Sequence, residues 1–125
     1  MNKIIHTDRA PAAIGPYSQA VQAGNLLFVS GQIPIDPAPG VFAGEDITTQ
    51  TRQSLTNVKA ILEEAGYALS DVVKATVLLA DMGDFAAMNA VYAEFFTSDC
   101  PARAAFAVKE LPRGAKVEIE VIAAK

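Results

Sequence analysis

The stretch from Ile47 to Ala65 constrains this chain more than any other. Ile47, Thr51, Leu55, Val58, Ile61, Leu62 and Ala65 recur at three- and four-residue spacing, the signature of one buried helical face. Gln50, Arg52, Gln53, Lys59, Glu63 and Glu64 occupy the other faces, and Gly66 follows as a natural C-cap. Over 72–80 the period changes to two. Val73, Ala75, Val77 and Leu79 share one face of a strand; Lys74 and Thr76 lie on the other, beside Val72 and Leu78. A one-sided helix next to a one-sided strand calls for a helix layer packed on a sheet.

The rest of the chain fits that scheme. Asp84 is placed to N-cap a second helix over 85–97, with Phe85, Met88, Tyr92, Phe95 and Phe96 toward the core. Residues 17–22 and 26–30 read as strands joined at Ala23-Gly24-Asn25, and the Pro- and Gly-rich stretch from Asp36 to Gly44 reads as a loop. Two last strands, 103–109 and 116–124, are expected to form a hairpin through Leu111-Pro112-Arg113-Gly114-Ala115. The order predicts an α+β fold in one domain, 1–125: a single mixed β-sheet with two helices packed on one face. The other sheet face must then be solvated or meet another subunit.

Composition narrows the function classes. A chain of 125 residues, 51% hydrophobic, buries a core without metal or disulfide support. The formal net charge is −4 and no run of Lys or Arg occurs, which argues against a nucleic-acid partner. Cys100 is the one cysteine and His6 the one histidine, so neither an intrachain disulfide nor a zinc site of ordinary ligand spacing is available. A Ser-His-Asp triad would have to recruit His6. Neither a GxGxxG fingerprint nor a phosphate-binding GxxxxGK[ST] loop is present. The N-terminal Met1–His6 is too short and polar for a signal peptide, and apolar runs fall far below the ~18 residues that span a bilayer. The expectation is a cytoplasmic protein with no membrane partner.

The last two strands carry the candidate chemistry. Alternation puts Arg103, Ala105 and Ala107 on one face, and Ala104, Phe106 and Val108 on the face that suits the helices. On the final strand Val117, Ile119, Val121 and Ala123 form the core face, so Glu118 and Glu120 share the opposite one. Arg103 and the two glutamates are therefore expected on the sheet face away from the helices. With 107 paired near 118, Arg103 lies ~13 Å along the strand from Glu118, close enough for both to touch one small molecule. A strand arginine near glutamates is more often a solvated or interfacial salt bridge than a site.

Several separated motifs carry a resemblance. They are Ala13-Ile14-Gly15-Pro16-Tyr17-Ser18-Gln19-Ala20, Ser30-Gly31-Gln32-Ile33-Pro34, Gln53-Ser54-Leu55 with Asn57-Val58, and Asp84-Phe85 with Asn89-Ala90-Val91-Tyr92. The C-terminal set is Pro101-Ala102-Arg103-Ala104-Ala105-Phe106, Leu111-Pro112 and Val117-Glu118-Ile119-Glu120. In this order, along nearly the whole chain, they resemble the RidA family of imine deaminases, also called YjgF. The resemblance implies a chorismate-mutase-like homotrimer with sites between subunits. It also implies hydrolysis of 2-iminobutanoate and 2-iminopropanoate to 2-keto acids and ammonia, without metal or cofactor. Arg103 matches the residue that binds the substrate carboxylate, and Glu118 the one that positions the attacking water. Tyr17, Ser30, Gly31 and Asn89 match residues lining the cleft. Many relatives carry a cysteine where this chain has Ala105, whose backbone N–H is still able to bind substrate. Two alternatives stand beside this reading: an endoribonuclease or translation inhibitor, and a non-catalytic 2-keto acid-binding or chaperone-like protein.

Overall fold

The structure, a computed structural model, describes residues 1–125. Helix α1 (Ile47–Glu64) forms where the period predicts. Asp46 caps its start by accepting from the Thr49 N–H at 2.9 Å. Its end is a Schellman turn: Gly66 at φ +81° donates to Glu63 O, and Tyr67 donates to Leu62 O. Leu55, Val58, Ile61 and Leu62 are fully buried. Helix α2 (Phe85–Phe95) places Met88 and Tyr92 in the same core, with Phe96 just beyond its end. Asp84 precedes α2 but makes no side-chain capping bond; Asp81 instead accepts from Gly83 N–H within the preceding turn.

Six strands make one mixed sheet: β1 (Lys3–Ile5), β2 (Ala20–Ala23), β3 (Leu26–Gln32), β6 (Val72–Leu79), β7 (Ala102–Ala107) and β8 (Val117–Ala124). Their order is β1-β2-β3-β8-β6-β7. The architecture is the expected α+β arrangement, one mixed sheet with two helices. The stretch from Asp36 to Gly44, expected as a loop, contributes to a small second sheet of β4 (Ile35–Asp36) and β5 (Val41–Phe42). Two buried amides of α1 brace that region. Asn57 donates to Ile33 O and Ile35 O. Gln50, expected on an outer face, is only 3% exposed; it donates to Gly44 O and accepts from Lys116 N–H.

The C-terminal hairpin does not form. β8 lies between β3 and β6, antiparallel to both, while β7 is an edge strand parallel to β6. Parallel neighbours need a crossover, and α2 supplies it, so β6-α2-β7 is a βαβ unit. Pro112–Gly114 forms a 3-10 turn on the path from the edge back to the centre, not a tight hairpin turn. The apolar Val-Ile-Val row of β8 takes the position with neighbours on both sides, and the short alanine-rich β7 takes the edge.

This topology reverses one face assignment. Ala75 pairs with Arg103, Val77 with Ala105 and Leu79 with Ala107. Directly paired residues share a face, and Ala75, Val77 and Leu79 are fully buried beneath the helices. Arg103 therefore sits on the helix side, and Phe106 on the open side with Leu78 and Glu118. A second correction is local. A bulge between Val72 and Lys74 turns Val73, expected in the core, out to 48% exposure, and Val72 takes its place. The open side carries exposed apolar groups, among them Phe28 at 43% and Phe106 at 47%.

Candidate functional site

Glu118 stands in a cavity of about 540 Å³ on the open side of the sheet, beside Tyr17, Ser30, Gly31, Ile33 and Glu120. A bulge in β3 shapes its floor: Val29 pairs with Val121 but Gln32 with Ile119, so Ser30 and Gly31 together face one residue of β8. Ser30 is fixed there by its N–H to Gln19 O at 2.9 Å and its hydroxyl to Ser18 O at 2.6 Å. Gln19 is itself buried, accepting from Thr7 N–H and donating to Thr7 O and Pro11 O, which ties down the segment leading to Tyr17. The Glu118 carboxylate rests against Gly31. A Cβ on Gly31 would clash with Glu118 Oε2 and lie 2.9 Å from its Cδ. Burial pushes the Glu118 carboxyl above its usual range, and the neighbouring Glu120 carboxylate adds to the shift.

Arg103 stands in a different cavity, about 450 Å³, with Asn89, Tyr92, Phe96 and Cys100. Its Nη1 donates to Asn89 Oδ1 at 2.7 Å. Its guanidinium carbon lies 4.7 Å from the Tyr92 ring centre and 5.6 Å from that of Phe85. Phe85, Asn89 and Tyr92 fall at i, i+4 and i+7, so α2 offers them as one stripe. The aromatic shelf and the amide hold the guanidinium without neutralising it. The three ion pairs of the chain, His6–Asp8, Arg9–Glu63 and Arg52–Glu94, leave Arg103 out. Its remaining N–H groups form a fork suited to a carboxylate. Two residues on, Ala105 packs against the core. Val108 N–H bonds inward to Leu79 O, and inward bonding alternates along a strand, so the Ala105 N–H faces the open edge of β7.

Thus Tyr17, Ser30, Gly31 and Glu118 line one cavity, while Arg103 and Asn89, with Ala105 two residues on, form a second group away from it. The two groups do not share a cavity within one chain: Arg103 and Glu118 lie on opposite faces of the sheet, contrary to the alternation argument. Tyr92 and Phe85, read from the sequence only as core residues, also form the shelf under Arg103. The spacing of Phe85, Asn89 and Tyr92 on one helical stripe was the available signal.

Comparison with known proteins accords with the motifs. The family model described as Endoribonuclease L-PSP matches residues 7–125. A RutC family protein of Pyrococcus horikoshii is 58% identical over 100% of this chain and 99% of its own. A protein of Salmonella typhimurium named 2-iminobutanoate/2-iminopropanoate deaminase is 52% identical over 100% of this chain and 99% of its own. Among solved structures, E. coli TdcF with bound serine superposes with a TM-score of 0.95 at 47% identity, covering 98% of each chain. The chain belongs to the endoribonuclease L-PSP family, the RidA (YjgF) family that its motifs resemble.

Proposed function

We propose that this protein hydrolyses small 2-imino acids, such as 2-iminobutanoate and 2-iminopropanoate, to 2-keto acids and ammonia. The observation that carries the reading is the pair of unfinished half-sites: an unneutralised Arg103 on one face and a half-buried Glu118 on the other. Each lacks what the other has. A second copy that set its Arg103 cavity against this copy's Glu118 cavity would complete a site. Because the two surfaces differ, that contact is head-to-tail, the kind that closes into rings, and a homotrimer is such a ring. The exposed apolar residues of the open sheet face, Phe28 and Phe106 among them, are suited to burial there.

In the completed site Arg103 grips the substrate carboxylate through paired hydrogen bonds, and the Ala105 N–H adds a donor from the strand edge. Asn89 and Tyr92 keep the guanidinium in place before substrate arrives, so little ordering remains to be done on binding. Glu118 accepts a proton from a water lying over the imine carbon. Its raised proton affinity brings it nearer to the range where a general base works best. Water adds to the C=N bond, the proton passes to nitrogen, and ammonia leaves as the carbonyl forms. Ser30 and Tyr17 border this space. The deaminase name of the Salmonella relative and the serine bound to E. coli TdcF both support an amino-acid-sized ligand with a carboxylate.

The test generates 2-iminobutanoate with a threonine dehydratase and follows its decay with and without the protein. Acceleration that Arg103→Ala and Glu118→Gln each abolish is the expected result. Decay unaffected by the protein, with tight 2-oxobutanoate binding, would move the assignment to a non-catalytic binder.

A further inference from the structure

The cavity around Glu118 does not end at Gly31. Ile14, Tyr17, Gly31 and Ile33 line it and also line an adjoining cavity of about 190 Å³ that has Arg113 in its wall. Pro112 borders the first space and its neighbour Arg113 the second, so the Pro112–Gly114 turn runs along the joined groove. Glu118 and Glu120 are the other charged groups in these walls, which makes Arg113 the one cation of the groove. Arg113 takes part in none of the chain's ion pairs.

Its backbone adds a second, independent observation. Arg113 sits at φ +58°, ψ +21°, in the left-handed region, and Gly114 beside it at φ +73°. Glycine would occupy position 113 without strain; a residue with a Cβ does not. The arginine thus stands where local conformation disfavours it, and strain of this kind concentrates at ligand clamps.

We propose that Arg113 is a second anion anchor, which extends the substrate range to 2-imino acids whose side chain ends in a carboxylate. The proposal rests on the imine-hydrolysis reading of the same site. The carboxylate next to the imine goes to Arg103 of a neighbouring copy, Glu118 sets the water, and the distal carboxylate reaches along the groove to Arg113. The reaction is unchanged: water adds to C=N, the C–N bond breaks, ammonia leaves, and a 2-keto dicarboxylate remains. Such substrates arise wherever an acidic amino acid is oxidised at its amino carbon.

The experiment uses the full chain, Arg113→Gly and Arg113→Lys, with 2-iminobutanoate and 2-iminoglutarate as substrates. The second is made in place by an amino-acid oxidase acting on glutamate. Arg113→Gly is chosen because glycine suits the turn. The expected loss in kcat/KM on 2-iminoglutarate is about 10- to 100-fold, carried mainly by KM, the worth of one charge-assisted contact. Activity on 2-iminobutanoate stays within about threefold, and Arg113→Lys recovers part of the lost activity. Equal losses on both substrates, no loss on either, or a wild type that hydrolyses 2-iminobutanoate but not 2-iminoglutarate would overturn the proposal. Should the wild type hydrolyse neither, the imine reading fails first, and calorimetry decides Arg113 separately. Tighter binding of 2-oxoglutarate than of 2-oxobutanoate, abolished in Arg113→Gly, supports the anchor; equal affinities refute it.

Discussion

Gly31→Ala isolates the placement of Glu118. The added methyl would clash with Glu118 Oε2 and approach its Cδ to 2.9 Å and its Cγ to 3.1 Å. The Gly31 backbone lies outside the left-handed region, so alanine meets no conformational penalty there. What yields is the far end of a flexible side chain, because turning Glu118 toward water is easier than moving β3 against β8. Stability should change by less than about 1 kcal/mol, a melting shift of a few degrees, about 4 °C at most. Activity should respond far more. Displacing a water-positioning group by an ångström or more costs about 100-fold, or about 2.7 kcal/mol at 1.36 kcal/mol per decade. The assay pairs kcat/KM on 2-iminobutanoate with a melting curve of the same sample. A Gly31→Ala protein that melts normally and keeps kcat/KM within about threefold of wild type would refute the argument that this contact sets the catalytic carboxylate.

Glu118 must be ionised to accept a proton, so kcat/KM should rise with pH through its raised pKa; Glu120→Gln removes one of the two upward influences, and the acid limb of the pH–rate profile should move to lower pH. The same shift weakens folding as pH rises. Between the unfolded and folded pKa values the native state binds more protons, so Glu118 lowers stability through that window, and Glu118→Gln should melt higher than wild type above it but not below. Arg103→Lys keeps the charge but loses the fork, and should lower kcat/KM about 10-fold or more with little change in melting temperature. Arg113→Gly should stabilise the fold by about 1 kcal/mol, through relief of the left-handed arginine, measured by denaturant unfolding.

Both helices were legible because their apolar spacing is long and regular: Leu55, Val58, Ile61 and Leu62 specify a buried face whatever lies opposite. The core row of β8 was legible for the same reason, as Val117, Ile119 and Val121 alternate without interruption. Alternation within a strand does not say which neighbour the strand pairs with. For β7, Arg-Ala-Ala-Phe-Ala gives two faces of nearly equal apolar weight, and only the parallel register with β6 decides that Arg103 belongs with Ala75. The bulge at Val73 was hidden, since it inserts one residue without any change in composition, whereas a glycine inside a strand run, as at Gly31, is an ordinary bulge signal. The residues that the motif resemblance singled out fall into two cavities, and the topology shows that one chain keeps Arg103 and Glu118 apart.

The central claim is that a working site takes Arg103 from one copy and Glu118 from the next, and complementation tests it directly. Arg103→Ala and Glu118→Gln proteins, each inactive alone, are unfolded together and refolded at equal amounts. Random assembly gives about one quarter of head-to-tail contacts an intact pair, so the mixture should recover roughly a quarter of wild-type activity on 2-iminobutanoate. A mixed oligomer, verified by mass, that stays as inactive as its parents would contradict the account.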